Sequence, residues 1–274
     1  MFKIIIMALL IFIGMVGYDS ITDKAQPTTP VQQEQQKVSK HEKSAAMALF
    51  TNLLPPKEEW PSPVHKFYLA FNMDEVIDPI RQNPNWTGLD AMSRDIPQAL
   101  IAIEDHAFYN HGAIAVEGIL RAALANINAG EVVQGGSTLT QQFVKNVFLS
   151  HEQSMERKIE EAVLSLMLED NYSKDEILEL YLNTTYFGAG STGIKQASRT
   201  YFGKAPSALT LAEAAVIASL PYAPTGLNPL ENPEGCKKRQ LLVLAAMHKY
   251  GMINQGQLAE AKAEKIRLTN GTVM

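Results

Sequence analysis

Two adjacent carboxylates stand in the middle of the chain, directly after an apolar run. Glu104 and Asp105 follow residues 99–103, Ala-Leu-Ile-Ala-Ile, in a segment with the pattern of a helix. A carboxylate in such a position is partly desolvated, which raises its pKa and suits it to general-base chemistry near neutral pH. The alternative for these two residues alone is an ordinary solvated acidic pair at a helix end.

A second polar segment has the composition of a phosphate receptor. Residues 135–142 are Gly-Gly-Ser-Thr-Leu-Thr-Gln-Gln, and Lys145 follows one turn later. A helix N-terminus with free backbone N–H groups, hydroxyl groups and a lysine can hold a phosphate. A well-capped helix with a polar face is the alternative. The GxxxxGK[ST] spacing of a nucleotide P-loop does not occur here, so that class of site is not predicted.

Two cations lie beside a carboxylate on a third predicted helix. Arg157 and Lys158 precede Glu161, and Arg157 and Glu161 are four residues apart, so they share a helix face. The net charge of the chain is −5, which gives no overall attraction to nucleic acid or anionic lipid, so an anionic ligand needs a local basic cluster. This cluster could hold a diphosphate and a second functional acid. A surface ion pair is the alternative.

The elements that must position these residues are mostly helices. A chain of 274 residues with 46% hydrophobic residues can bury one substantial core or two modest lobes. The single cysteine, Cys236, allows no intrachain disulfide and no cysteine-based metal site. No repeat with a period of 20 to 50 residues is found, which argues against a solenoid. Amphipathic patterns predict helices at 116–127, 139–148, 155–169, 174–182, 210–220, 237–249 and 254–265.

The N-terminus carries a signal for export. Residues 4–17 are apolar and uncharged, with Lys3 before them and acidic residues after them, which favours a cytoplasmic N-terminus and an exported body. The run is shorter than the ~20 residues of a typical span, so a cleaved signal peptide is the alternative. We predict an uncleaved membrane anchor at residues 1–18. A flexible linker at 19–44 follows, because that Gln-rich stretch cannot bury enough apolar surface to fold.

Five motifs in order resemble the glycosyltransferase family 51 domain of class A penicillin-binding proteins and monofunctional peptidoglycan glycosyltransferases. The resemblance covers roughly residues 86–265, and its third motif selects Glu161 rather than Glu160. One departure is Ala113, where the family commonly has glycine. The motifs are EDxxFxxH at 104–111, GGSTxTQQxxKN at 135–146, RKxxE at 157–161, ILxxYLNxxxFGxxxxGIxxAxxxYFGK at 177–204 and LTLAEAAxxAxLPxAPxxxNP at 209–229.

The resemblance implies a mainly α, lysozyme-like domain of two lobes with an extended cleft and an N-terminal membrane anchor. The glycosyltransferase domain is expected at residues 45–236, with a C-terminal helical extension at 237–274. A class A penicillin-binding protein would continue into a transpeptidase domain. No SxxK motif of that domain occurs in the chain, so we expect no penicillin-sensitive activity.

The resemblance also implies a reaction. Glu104 would deprotonate the acceptor's 4-hydroxyl group, which attacks the anomeric carbon of the growing strand and expels polyprenyl diphosphate with inversion. Glu161 would assist the diphosphate or orient the donor, directly or through a divalent metal, Mg²⁺ or Mn²⁺; no obligatory cofactor is expected. Lys145, Arg157 and Lys158 would neutralise charge on the leaving group. The other residues expected to contact substrate are Asp105, Phe108, Ser137, Thr138, Gln141, Gln142 and Asn183.

The expected partners follow from the same resemblance: lipid II, the growing glycan strand, the membrane and cell-wall synthesis or division proteins, with no nucleic acid. The expected location is the bacterial cytoplasmic membrane, crossed once, with the catalytic domain outside. Two other functions remain open. A glycoside hydrolase could use two carboxylates, although it has no diphosphate for the basic cluster to bind. A catalytically silent scaffold would be expected to have lost its acids, yet Glu104 and Glu161 are both present.

Overall fold

A computed structural model describes residues 68–69, 72–119, 127, 135–149 and 154–274 of the chain, without the side chains of residues 155 and 156. The predicted anchor at 1–18 and linker at 19–44 lie outside these residues. The helices with described bounds are α1 (Asp74–Arg81), α2 (Asp95–Glu104), α3 (Leu139–Phe148), α4 (Met155–Asn171), α5 (Lys174–Thr184), α6 (Ile194–Phe202), α7 (Leu211–Ser219), α8 (Pro233–Lys249) and α9 (Gln255–Ala263).

The described residues confirm the mainly helical prediction. Within them, β-structure is limited to two isolated bridges, between Tyr186 and Thr192 and between Arg267 and Val273. None of the helices in this part of the chain has the length and apolar character that a membrane crossing requires.

Capping motifs in the sequence determine where several helices begin. Thr138 caps α3, and its side chain and that of Gln141 bond each other's backbone N–H groups in a capping box. The same reciprocal arrangement starts α5 at Ser173, α7 at Thr210 and α9 at Asn254. Each box satisfies backbone donors that a helix start otherwise leaves without a partner.

Helix α7 lies at the centre of the core. Residues 212–219 are all buried, and apart from Glu213 and Ser219 they are apolar, as expected for a central core helix. Helices α2 and α8 both pack against α7 and against each other. Inside this group, the buried amide of Gln240 donates to the carbonyl oxygen of Ala212 over 2.8 Å, which joins α8 to the start of α7. A neighbouring group is formed by α3, which packs against both α4 and α5.

The C-terminal region shares this core. Helix α8 buries Cys236 as well as Val243, Leu244 and Met247, on one apolar stripe. The predicted boundary between residues 236 and 237 therefore falls inside a helix whose two halves pack on the same interior. Beyond α9, the backbone N–H of Thr269 donates to the carbonyl oxygen of Tyr201 over 3.0 Å, which fastens the C-terminal segment to α6.

Two glycines between α5 and α6 have similar backbone angles but different surroundings, so together they test how closely the backbone packs at one of them. Gly188 and Gly190 both have positive φ angles, +86° and +69°. A Cβ atom on Gly188 would lie 2.3 Å from the carbonyl oxygen of Pro224 and 2.9 Å from the hydroxyl oxygen of Tyr201, whereas one on Gly190 meets nothing within 4 Å.

We therefore expect Gly188→Ala to be clearly more destabilising than its matched control, Gly190→Ala. The control should cost about 1–2 kcal/mol for the left-handed backbone alone. Gly188→Ala should cost about 1–3 kcal/mol more, because the methyl group overpacks the site. Urea unfolding gives both free energies. Equal losses in the two variants would contradict this packing.

Candidate active site

Glu104 is the last residue of α2, and a chain of hydrogen bonds orients its carboxylate. The amide nitrogen of Gln142 donates to Oε2 of Glu104 over 3.0 Å. The amide oxygen of Gln142 accepts from the hydroxyl group of Tyr181, also over 3.0 Å. Because Tyr181 donates, the amide oxygen must face it, and the amide NH₂ group must face Glu104.

Burial raises the pKa of Glu104 above its usual range. The hydrogen bond from Gln142 lowers this pKa, as do the positive charges of Arg239 and Lys145, while the charge of Asp105 raises it; the net shift is upward. Burial and the nearby Glu104 charge also raise the pKa of the Tyr181 phenol, so it stays a hydrogen-bond donor. Glu104 thus has the raised pKa predicted from its position after an apolar run.

Asp105 connects three segments of the site. Its Oδ2 accepts from the backbone N–H of Leu139 at the start of α3 over 3.0 Å, a favourable place for a negative charge. Its Oδ1 lies 2.7 Å from Nε2 of His111. Both oxygens are therefore engaged within the protein. Its predicted contact with substrate stays a prediction beside this observed role.

The imidazole of His111 is held between two acceptors. Nδ1 lies 2.6 Å from the carbonyl oxygen of Gly112, and Nε2 faces Asp105, so both ring nitrogens must carry a proton to donate. Burial lowers the pKa of His111, but the hydrogen bonds to Asp105 and Gly112 and the Asp105 charge raise it, and the net shift is upward. The geometry and the pKa direction agree on an imidazolium.

The phosphate-receptor segment divides into structural and accessible groups. Thr138 accepts from the backbone N–H of Gln141 and donates to the carbonyl oxygen of Ala113 over 2.7 Å. Thr138 and Gln141 are both buried, so their polar atoms serve the start of α3. Ser137 is partly exposed, and its hydroxyl group accepts from Nζ of Lys158 over 3.0 Å.

The basic cluster is built around a buried acid. Glu161 is 2% exposed; its Oε1 is bonded to Lys158, and its Oε2 lies 3.6 Å from Nη1 of Arg157. The Lys158 side chain is 44% exposed and that of Arg157 is 16% exposed. Nε of Arg157 is buried and has no hydrogen-bond partner among the described residues. Glu161 therefore holds two cations in place, and the half-exposed side chain of Lys158 stays open to another anion.

One cleft brings Glu104 and the segment at 135–138 together. A cavity of about 400 Å³ is bordered by Glu104, Asp105 and His111 on one side and by residues 135–138 on another. This volume is in the range of small-ligand sites. The candidate base and the segment bonded to the basic cluster consequently open onto the same space.

Two predicted contact residues have other surroundings. Phe108 is fully buried in the core, with Nζ of Lys174 lying 4.5 Å from its ring centroid. The amide of Asn183 bonds the backbone of Thr87 in both directions, each over 2.9 Å, and donates to the carbonyl oxygen of Glu179. Asn183 thus connects α5 to the segment that precedes α2. Neither Phe108 nor Asn183 borders the cleft. Their contact with substrate stays a prediction.

Two residues of the site were missed from the sequence. The positive charge of Arg239, on α8, lowers the pKa of Glu104, and its guanidinium lies 4.1 Å from the ring centroid of Tyr222. Tyr250 borders the cleft just beyond α8. The run Lys-Lys-Arg at 237–239 could have indicated Arg239, but it was assigned to an extension outside the domain. A lone Tyr-Gly pair gave no signal for Tyr250.

Comparison with known proteins identifies the family. The profile described as "Transglycosylase" matches residues 73–248, which include every motif discussed above. This chain belongs to the transglycosylase family. The match also runs through residue 237, where the sequence predicted a boundary.

Individual relatives of this family member include a Cupriavidus necator protein provisionally named a transglycosylase, 41% identical over 194 residues. That alignment covers 71% of this chain and 84% of the relative. Penicillin-binding protein 1A of Neisseria flavescens is 44% identical over 68% of this chain, which spans only 23% of that relative. The crystal structure of penicillin-binding protein 1A from Haemophilus influenzae superposes with a TM-score of 0.34 and 33% identity, over 48% of this chain and 16% of that one.

The influence of Arg239 on Glu104 can be measured directly. A positive charge favours the ionised carboxylate, so Arg239→Gln should raise the pKa of Glu104 further above its usual range. Lys238→Gln removes a neighbouring exposed cation of α8 and serves as the control. Carbon-13 NMR titration of the glutamate carboxyl groups measures the pKa of Glu104 in both variants. The Glu104 signal is identified by its absence in Glu104→Gln. An unchanged Glu104 titration in Arg239→Gln would show that Arg239 does not act on the site.

Proposed function

We propose that this chain is a peptidoglycan glycosyltransferase that polymerises lipid II into β-1,4-linked glycan strands and releases undecaprenyl diphosphate during bacterial cell wall biogenesis. One observation carries the proposal: a carboxylate with a raised pKa and a serine bonded to a basic cluster open onto one cleft. In a reaction in which a hydroxyl group attacks a sugar and expels a diphosphate, the base can take the proton of the hydroxyl group and the anion receptor can bind the diphosphate. Membership of the transglycosylase family supports the same reaction.

Glu104 is the general base of the proposed reaction. The upward shift moves the pKa of Glu104 towards neutral pH, and a general base is most effective when its pKa is near the pH at which the enzyme works. Gln142 holds one carboxylate oxygen, and an ionised carboxylate retains further acceptor sites for the acceptor's 4-hydroxyl group. The proton moves from that hydroxyl group to Glu104 as the oxygen attacks the anomeric carbon of the donor, and the configuration inverts.

The basic cluster stabilises the departing diphosphate. Arg157 and Lys158 are held by Glu161; Lys158 is half-exposed, and the buried Nε–H of Arg157 lacks an acceptor among the described residues. An arginine can donate two parallel hydrogen bonds to a phosphate, which stabilises charge as it develops. Lys145, exposed on α3, would add a third positive charge. Glu161 is proposed to orient these cations.

A divalent metal, Mg²⁺ or Mn²⁺, fits the cluster poorly. Both oxygens of Glu161 already face cations, so a metal would have to displace a side chain. The proposed mechanism therefore assigns the neutralisation of the leaving group to lysine and arginine alone, with no obligatory cofactor.

The membrane location is a further part of the proposal. A lipid-linked substrate stays in the bilayer, so an enzyme confined to that surface meets it at a high local concentration. The apolar run at 4–17 supports a single-pass anchor, and the exposed apolar side chains of Val116, Ile119 and Ile127 support contact of the smaller lobe with lipid. We propose a lysozyme-like, two-lobed domain on the outer face of the cytoplasmic membrane, with access to cell-wall synthesis or division proteins.

Replacing the base tests the reaction. Glu104→Gln should cut polymerisation of labelled lipid II by roughly 10²-fold or more, the scale expected for loss of a general base. The thermal unfolding temperature should change little, because the amide retains the size of the side chain. Glu234→Gln, an exposed acid at the start of α8, is the control. Near wild-type product in Glu104→Gln would refute the mechanism. Fragments released from purified glycan strands by the wild-type protein would instead indicate a hydrolase.

Replacing an exposed cation tests the stabilisation of the leaving group. Lys145→Ala should lower turnover by about 10-fold or more, because one positive charge near the diphosphate is lost. Stability should fall by less than about 1 kcal/mol, as for other exposed charges. Lys262→Ala, on the exposed side of α9, is the control. A large loss of thermal stability, with activity per folded molecule retained, would make Lys145 structural.

A further inference from the structure

Tyr250 is placed beside the cleft by the way α8 ends. The backbone N–H of Gly251 donates to the carbonyl oxygen of His248 over 3.0 Å, and that of Met252 donates to Met247 over 2.9 Å. Gly251 has a φ of +73°. These are the two hydrogen bonds and the left-handed glycine of a Schellman motif, which fixes the backbone around Tyr250. The direction of its Cα–Cβ bond is consequently set by the helix end.

The ring of Tyr250 stacks on the ring of His106. The ring centroids are 4.1 Å apart, and the ring planes differ by 15°. Nζ of Lys249 lies 5.1 Å from the Tyr250 centroid, within the range of a cation–π interaction. The Tyr250 residue is 39% exposed, and both stacked rings border the cleft that contains Glu104.

This stack joins the turn after Glu104 to a helix distant in sequence. His106 follows Glu104 by two residues, in a turn that has left α2. Asp105 fastens the same turn to the start of α3 through Leu139. Tyr250 fastens it to the end of α8. The turn directly after Glu104 is therefore attached to two different helices.

We propose that Tyr250 is a positioning residue for Glu104: by stacking on His106 it fixes the turn at 105–107 against the end of α8 and aims the carboxylate into the cleft. The proposal rests on the proposed role of Glu104 as general base. A small displacement of a catalytic group reduces the rate of the chemical step far more than it reduces binding. The loss of the stack should consequently appear in kcat.

The test measures kcat and KM for labelled lipid II in detergent with the full chain. Tyr250→Ala should lower kcat by roughly 10- to 100-fold and leave KM within about twofold. Tyr250→Phe keeps the stacked ring and should restore kcat to within about twofold of wild type. Tyr186→Ala, an exposed tyrosine outside the cleft, is the matched control and should leave both constants unchanged. If Tyr250→Ala does not fold, Tyr250→Leu replaces it, because it keeps bulk but not the planar stack.

A double-mutant cycle gives a second measurement. His106→Ala and Tyr250→Ala both break the stack, so the kcat loss of the double variant should be smaller than the product of the two single fold-losses. Additive losses would overturn the proposal, as would a rise in KM at unchanged kcat or a Phe variant as impaired as the Ala variant.

The Glu104→Gln background separates the two proposals. Tyr250→Ala should cause no further loss of residual activity there, because the group that it positions has been removed. A further loss would overturn the positioning role alone. Wild-type turnover in Glu104→Gln by itself would overturn the assignment of Glu104 as base, whatever Tyr250 does.

Discussion

The carboxylate of Asp105 is the contact on which the geometry of the cleft depends. By accepting from the backbone of Leu139, it fixes the first turn of α3 against the end of α2. Residues three apart share a helix face, so this contact also brings Gln142 within hydrogen-bond distance of Glu104. The other oxygen of Asp105 holds His111. A single side chain thus sets the relative positions of the candidate base, its amide partner and the turn that borders the cleft.

Two acids near the cleft have different surroundings and therefore suit different tasks. Glu104 meets a neutral amide directly and cations only at longer range, so burial dominates and its proton affinity rises. Glu161 contacts Lys158 and Arg157 directly, which keeps a buried negative charge compensated. Such a separation of environments lets one domain hold both a proton acceptor and a fixed charge. It also explains how a chain of net charge −5 presents positive charge locally.

Local signals in the sequence were sufficient for much of the fold. The prediction of a helix at 139–148 agrees with α3, because Thr138 and Gln141 form the capping box that their spacing indicates. The predicted start of α8 at residue 237 was too late: Asn232 caps the helix and Pro233 occupies its first turn, a pairing that the sequence contains. The expected C-terminal extension at 237–274 included Arg239.

The candidate site was less accessible to sequence reasoning. Glu104 could be identified because its surroundings come from neighbours in the chain. The amides of Gln141 and Asn183 look equally suited to a sugar, yet their bonds go to the protein backbone. Only tertiary packing decides such cases, and the same is true of the stack between His106 and Tyr250. Those rings are brought together by the packing of α8 on α2, which no motif encodes.

The imidazolium of His111 makes one contact at the border of the cleft depend on pH. Its pKa is raised in the folded chain, so the ion pair with Asp105 contributes fully below the unfolded pKa and is lost as pH rises through the folded pKa. Glu104 has the opposite requirement, because a base must be ionised and its own pKa is also raised. Deprotonation of His111 therefore weakens its hold on Asp105, whereas protonation of Glu104 removes the base. One cleft thus carries two titrating groups whose working forms differ, a cation at its border and an anion at its centre.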